Sequence, residues 1–213
     1  MQAENWKGEF GKEYTDRNFM ALDEYDKLCM SRIGISRTKQ MEDFLSGLKL
    51  NSILEVGCNV ASQLLLLQKE LFKECDYYGI EISQYAIEKA KYTAKRMGIK
   101  IVQASALDIP FRDACFDLVF TSGVLIHISP KNINEALDEI YRCSRKYIWG
   151  LEYYSKSYVE VNYRGCGGLL WKTDFLNLYR DRYPELKLIK EKKYHYLNDR
   201  QLVDQVFLLE KRD

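Results

Sequence analysis

The chain has 213 residues, 46% hydrophobic and 30% charged, and its 32 basic side chains nearly cancel 31 acidic ones to leave a formal charge of +1. This is the composition of a globular chain rather than a disordered one, and the balance argues against a strong nucleic-acid footprint. No run approaches the roughly 18 consecutive apolar residues that a membrane span requires.

The opening stretch from Met1 to Lys7 has neither a basic nor an apolar leader region, so no signal peptide is expected. The residues up to 50 are polar-aromatic and helical in part, with Leu45 and Leu48 closing an amphipathic helix. A buried strand over 52–56 then leads to a helix over roughly 61–72, whose Leu64–Leu67 run is apolar on nearly every side. Strand 77–82 precedes a helix over 84–97 with Ser83 as N-cap, Gly98 just past its end, and Ala86, Ile87, Ala90, Ala94 and Met97 on one apolar face. Strand 100–103, a turn at Asp108–Phe111 and strand 116–121 follow. A helix over 131–143 is expected to start with Ser129 as cap and Pro130 in its first turn, and to bury Ile133, Leu137, Ile140 and Tyr141. Strand 146–152 closes the alternation. Beyond a helix near 172–181, two β-rich runs, 186–196 and 203–211, are suited to antiparallel pairing. The rhythm predicts an α/β fold with a mostly parallel sheet covered by helices on both faces. No repeat or low-complexity linker interrupts it, so residues 1–213 read as one domain: a helical lid over 1–50, a cofactor-binding core over 51–152, and an acceptor-site loop with a hairpin over 153–213.

Two segments carry the chemistry. Ile53-Leu54-Glu55-Val56-Gly57-Cys58-Asn59-Val60-Ala61 reads as a strand entering a small-residue turn, and Tyr78-Gly79-Ile80-Glu81-Ile82-Ser83 as a second strand ending in an acid. A βαβ unit that holds an adenosine-type cofactor needs close backbone approach at the turn and a carboxylate for the ribose hydroxyls, here Glu81. The six cysteines are dispersed, without a C-x-x-C or a Cys/His cluster. They read as small core residues in a reducing compartment, the cytoplasm by default, with no metal site. Cys58 has no His or Lys near it in sequence to activate it and reads as a packing thiol.

With these segments, Ala104-Ser105-Ala106, Asp108-Ile109-Pro110-Phe111 and Phe116-Asp117-Leu118-Val119 followed by Val124-Leu125-Ile126-His127 resemble, in order, the motifs of class I S-adenosylmethionine-dependent methyltransferases. The resemblance covers about residues 50–150 and implies a Rossmann-like seven-stranded sheet ending in an antiparallel hairpin, with S-adenosylmethionine as cofactor. It implies cofactor contacts from Glu55, Gly57, Asn59, Glu81, Ile82, Ser105, Ala106, Leu107 and Ser122. Asn59 and Ala61 stand where the family has further glycines, Asn being tolerant of positive φ and Ala61 adding a methyl near the cofactor. Ser105 replaces the usual adenine-side Asp, which implies weaker cofactor binding. The flanks, Trp6-Lys7-Gly8-Glu9-Phe10-Gly11-Lys12-Glu13-Tyr14-Thr15-Asp16-Arg17-Asn18 and Val159–Gly165, are similar to methylases associated with pseudaminic acid biosynthesis. That likeness implies a nonulosonic acid, free or nucleotide-linked, as a small acidic acceptor.

Methyl transfer from a sulfonium is an in-line displacement, and a sugar hydroxyl needs a base to attack. His127, just past the fourth strand, is the candidate base; the competing reading packs it against the following helix. His195 reads as structural. Glu55 reads as a cofactor-side acid that orients the turn or meets the methionine ammonium through water. Tyr14 and Arg17, with Trp6 and Phe10, form a lid that reaches the cofactor or an amphipathic helix that packs on the sheet. Glu152, Tyr154, Tyr163 and Arg164 are candidate acceptor contacts, Arg164 as a fork for a carboxylate. Two further readings stand beside this one: methylation of another metabolite or a peptide, and a cofactor-binding partner protein without catalysis. The oligomeric state is not legible in the sequence.

Overall fold

The computed structural model describes residues 2–212; Met1, where the stretch read for a leader begins, and Asp213 lie outside the described residues. The amino-terminal part folds as α1 (Gln2–Lys7), α2 (Glu9–Asn18), α3 (Leu22–Ile33) and α4 (Arg37–Leu45). The alternating part is β1 (Ser52–Val56), α5 (Ser62–Glu70), β2 (Asp76–Glu81), α6 (Gln84–Met97), β3 (Lys100–Gln103), β4 (Phe116–Ser122), a 3₁₀ turn (Leu125–His127), α7 (Ile133–Cys143) and β5 (Ser144–Tyr153). The remainder is β6 (Val159–Glu160), β7 (Trp171–Lys172), α8 (Phe175–Arg182), β8 (Lys187–His195) and β9 (Val203–Glu210).

Seven strands form one sheet in the order β3-β2-β1-β4-β5-β9-β8, parallel except for β9 and β8. The α/β class, the mostly parallel sheet and the closing antiparallel hairpin expected from sequence are all present. The inner strands β1, β2, β4, β5 and β9 are buried on both faces, which explains their near-continuous hydrophobic runs, while the edge strands β3 and β8 are largely exposed. Ile53, Leu118, Trp149 and Leu208 meet helices on one face, while Leu54, Val119, Ile148 and Leu209 meet helices on the other. Gly150 stands opposite Phe207, and a Cβ placed on it would lie 2.2 Å from the ring, so the strand pair closes only because that side chain is missing.

Local chemistry sets the ends of α6. The Ser83 hydroxyl accepts from the Ala86 N–H, and Gly98 ends the helix in the left-handed region at φ 71°. Of its expected apolar face, Ala86, Ala90 and Ala94 are buried, Ile87 is half-buried and Met97 is exposed. Other boundaries move. α7 begins at Ile133 after a turn in which the Asn132 N–H donates to the Ser129 carbonyl, and it buries Ala136 and Cys143 while Tyr141 stacks on Tyr183 at its margin. The residues after β4 make a single 3₁₀ turn before α7. Lys172, expected to open the helix near 172–181, pairs with β6 together with Trp171 instead, and the helix begins at Phe175. The strand order reverses between β1 and β4, and in such sheets a ligand crevice opens there, outside the carboxyl ends of the strands.

Candidate functional site

A cavity of about 340 Å³ occupies that crevice. Its floor is the turn after β1, where the N–H groups of Gly57 and Cys58 both donate to the Ile80 carbonyl. Gly57 has φ 72°, and a Cβ there would lie 2.6 Å from a methyl of Val124, so only glycine fits. Asn59 takes φ 46° and Ala61 φ 61°. The Ala61 methyl, expected near the cofactor, is instead buried in the core beneath α5. It therefore narrows nothing in the crevice. Cys58 is buried with its sulfur in the space left by Gly79, and burial pushes its thiol well above the usual range.

Glu81, at the end of β2, accepts from the Asn59 N–H through one oxygen (2.8 Å) and from the Ser83 N–H through the other (2.9 Å). Glu81 lines the cavity, and each of its oxygens has capacity for a further donor, the acceptor pair that a vicinal diol would need. Glu55 is buried below the turn; Gln63 donates to one of its oxygens (3.2 Å), and the other has no donor. Burial, with Glu81 nearby, pushes Glu55 well above the ordinary carboxylate range. Asn59 Oδ1 and Gln63 Oε1 likewise lack donors. Three buried acceptors in one corner fit a cationic donor such as an ammonium group.

Ile82, Ser105, Ala106, Leu107 and Ser122 also line the cavity. The Ser105 hydroxyl is committed to its own turn, where it accepts from the Leu107 N–H (3.1 Å). α1 and α2 cover the opening with Trp6, Tyr14 and Thr15. Gly11 lets the two helices cross, since a Cβ there would lie 1.9 Å from the Trp6 carbonyl oxygen. On the outside, Asp16 of α2 accepts from the Tyr85 hydroxyl (2.9 Å) and from the Lys89 ammonium of α6. Arg17 is placed away from the cavity lining; one of its terminal nitrogens meets Glu13, and the other is buried without a partner.

His127 lies on the cavity wall. Its Nδ1 is 2.7 Å from the Leu169 carbonyl, which fixes the proton on that nitrogen. Its ring meets Trp6 at 4.5 Å and Tyr163 at 5.3 Å between centroids, with Phe10 beyond Tyr163. Burial pushes the imidazole down to about 4, so it is neutral at physiological pH. The remaining acceptor candidates do not converge. Glu152 is buried under the 3₁₀ turn, accepting from the N–H groups of Val124 and Ile126. Tyr154 lies under the Lys193 ammonium, 3.7 Å from its ring. Arg164 is exposed at the tip of a two-residue hairpin between Tyr163 and Cys166, where Arg164 (φ 56°) and Gly165 (φ 82°) make the turn.

Sequence reasoning missed Tyr25, Gln63 and Val124, which line the cavity. Gln63 had a signal, an amide in the first turn of α5 just before a run of four leucines. Tyr25 had none, because α3 reaches the cavity only through tertiary packing. Among the described residues, no group of three or more His, Cys, Asp or Glu is placed to hold a metal ion, and no helix is long and apolar enough to cross a membrane.

Residues 54–147 match the protein family described as "Methyltransferase domain". An uncharacterized protein of Haemophilus influenzae is 27% identical over 58% of this chain and 53% of its own length. The tRNA N(3)-methylcytidine methyltransferase Mettl2 of Drosophila melanogaster is 32% identical over 46% of this chain and 32% of its own length. The chain thus spans about half, or less, of these relatives. Among solved structures, the 1,6-didemethyltoxoflavin-N1-methyltransferase of Burkholderia thailandensis superposes with a TM-score of 0.69 at 14% identity, over 99% of this chain and 89% of that one.

Proposed function

We propose that the whole chain transfers a methyl group from S-adenosylmethionine to a small polar acceptor, as the match of residues 54–147 to the methyltransferase domain supports. The observation that supports this most is Glu81, presenting both carboxylate oxygens beside the Gly57–Asn59 turn at the switch point of the sheet. In this reading Glu81 takes the ribose diol, Glu55 with Gln63 and Asn59 takes the ammonium of the methionyl end, and Ser105–Leu107 flank the adenine. The bound cofactor supplies a methyl group made electrophilic by its sulfonium.

The protein's own part is placement. α1 and α2 exclude water above the cavity, and the aromatic rings of Trp6 and Tyr14 favour the cationic sulfonium region. His127, held in one tautomer by Leu169, places a neutral imidazole on the cavity wall beside the path of the incoming nucleophile. A group pushed down to about 4 retains a proton poorly at neutral pH, which makes it a better orienting group than a base.

The acceptor we propose is an acidic sugar of the nonulosonic type, free or nucleotide-linked, with Tyr163 beside His127 as its contact; Arg164, exposed at the hairpin tip, stands outside the cavity lining. The weak basicity of His127 favours a second reading, an amine or another metabolite that attacks without a base. A cofactor-binding protein without turnover is the third. The near-zero net charge argues against RNA as acceptor. Six free cysteines fit a reducing compartment, so we place the reaction in the cytoplasm.

Isothermal titration with S-adenosylmethionine and its demethylated product, followed by mass-spectrometric screening of nonulosonic acids and amines, tests the sequence of claims. Cofactor binding with a methylated sugar acid confirms the reading. Binding with turnover only on amines moves the acceptor, binding without turnover supports the third reading, and no binding overturns all three.

A further inference from the structure

Glu152 is the buried carboxylate that the reaction as described leaves unused. β4 and β5 run parallel, and their last paired residues are Ser122 and Leu151. Glu152 is therefore the first residue of β5 beyond the pairing, beside the point where the chain leaves β4 toward His127. It is 1% exposed. One of its oxygens accepts from the Val124 N–H (3.2 Å) and the other from the Ile126 N–H (3.3 Å).

These N–H groups lie at the amino-terminal end of the 3₁₀ turn Leu125–His127, where the first donors of a helical turn find no carbonyl within it. The carboxylate thus acts as a cap supplied from another strand. The turn it caps ends in His127, whose ring meets Trp6 of α1 across the cavity. Val124, one of its two donors, lines the cavity and is the side chain that restricts Gly57. A single buried side chain therefore sets the wall facing both the cofactor turn and the lid.

Its surroundings suit a change of charge. The Thr121 hydroxyl faces it from β4 and Tyr179 from α8. Gln205 stands opposite it in the β5–β9 register, with its Oε1 lacking a donor. That oxygen is an acceptor for which a protonated Glu152 would be the complement. Capping alone would be met by a neutral Ser or Asn without the cost of burying a charge.

We infer that Glu152 is a positioning residue of the methyl-transfer site: its carboxylate fixes the turn that presents His127 and Val124 to the cavity, and protonation releases that turn. The inference rests on the methyltransferase reading. Burial pushes Glu152 up to about 7, so the two forms exchange within the physiological range. His127, pushed down to about 4, does not titrate there.

The test uses the whole chain labelled with 5-fluorotryptophan and followed by fluorine NMR from roughly pH 5.5 to 8.5, a window set by the ionisation range of a buried acid. The Trp6 resonance is identified from its absence in Trp6→Phe. It is expected to shift with a midpoint near the Glu152 value of about 7. In Glu152→Gln it should stay at the acid-limb position throughout. A flat Trp6 signal in the parent chain, or the same titration in Glu152→Gln, overturns the inference. Should Glu152→Gln fail to fold, Glu152→Asp keeps the charge with a shorter reach, and an unchanged midpoint there is equally fatal. Calorimetry with S-adenosylhomocysteine at alkaline pH runs alongside. Intact binding without the Glu152 dependence overturns the inference alone. Absent binding overturns the functional reading, and with it the inference as a statement about methyl transfer.

Discussion

Replacing Glu81 by Gln removes one charge and nearly nothing else. The carboxylate accepts from the backbone N–H groups of Asn59 and Ser83 with separate oxygens. A glutamine has one carbonyl oxygen, so its NH₂ must face one of those two donors. The same limit would apply at the proposed ribose contact, where two hydroxyls that both donate to a carboxylate would meet one acceptor and one donor. A charge-assisted hydrogen bond contributes about 1.5–3 kcal/mol. Loss of one such bond to the diol corresponds to a rise in Kd of ~10- to 150-fold. Stability should change less than affinity, because burial already disfavours the ionised form of Glu81 and the amide relieves that cost. The assay is isothermal titration with S-adenosylmethionine and S-adenosylhomocysteine on both proteins, with thermal melts showing that each is folded. A folded Glu81→Gln protein whose Kd stays within about threefold of the parent, a change worth under 1 kcal/mol, would refute the assignment of Glu81 to the ribose.

Gly150→Ala drives a methyl into the Phe207 ring, 2.2 Å from where the Cβ would stand, and should destabilise the protein by about 1–3 kcal/mol or more in urea unfolding. Phe207→Leu in the same chain should recover part of the loss, and no recovery would refute the steric account. Asp204 is buried at the start of β9, and burial raises it to about 6 from an ordinary value of 3.8. Because the folded-state value is the higher one, its stabilising contribution is complete below about pH 4 and disappears as pH rises through about 6. Asp204→Asn should therefore flatten the fall in melting temperature across that window, and an unchanged slope would count against it. Asp16→Ala removes the clasp between α2 and α6 and should speed amide exchange in Glu9–Asn18 while leaving the central strands protected. Exchange in α2 equal to that of the parent would show that the aromatic contacts alone hold the cover in place.

The parts of the fold legible in the sequence were those governed by short-range chemistry. Ser83 and Gly98 mark the ends of α6 through a side-chain cap and a left-handed stop, both decided within four residues. The near-continuous apolar runs of the inner strands announce a sheet covered on both faces. Distances set by long-range packing were harder. The Ala61 methyl points into the core because the residue itself sits at positive φ, a backbone state that hydrophobic patterning does not report. Pro130 signals a helix start, yet the chain completes a turn through Asn132 first. Motif spacing brought Gly57, Asn59, Glu81, Ser105 and His127 to one crevice because each follows the end of a parallel strand. The acceptor candidates follow no such rule. Glu152 is carried inward by the strand alternation of β5, while Arg164 is carried outward by a hairpin whose turn requires positive φ at two successive residues.

The position of β9 has a consequence for how the chain acquires its structure. The last strand in sequence lies inside the sheet, between β5 and β8. Its partner β5 is complete some fifty residues earlier and must wait with one edge open. A polypeptide emerging from the ribosome therefore exposes Trp149 and Ile148 along an unpaired edge until residues 203–210 are released. Pairings of such long sequence separation are slow to form, and an open hydrophobic edge is a site of misassembly. Truncation just before Val203 should accordingly yield aggregated protein rather than a slightly smaller folded chain.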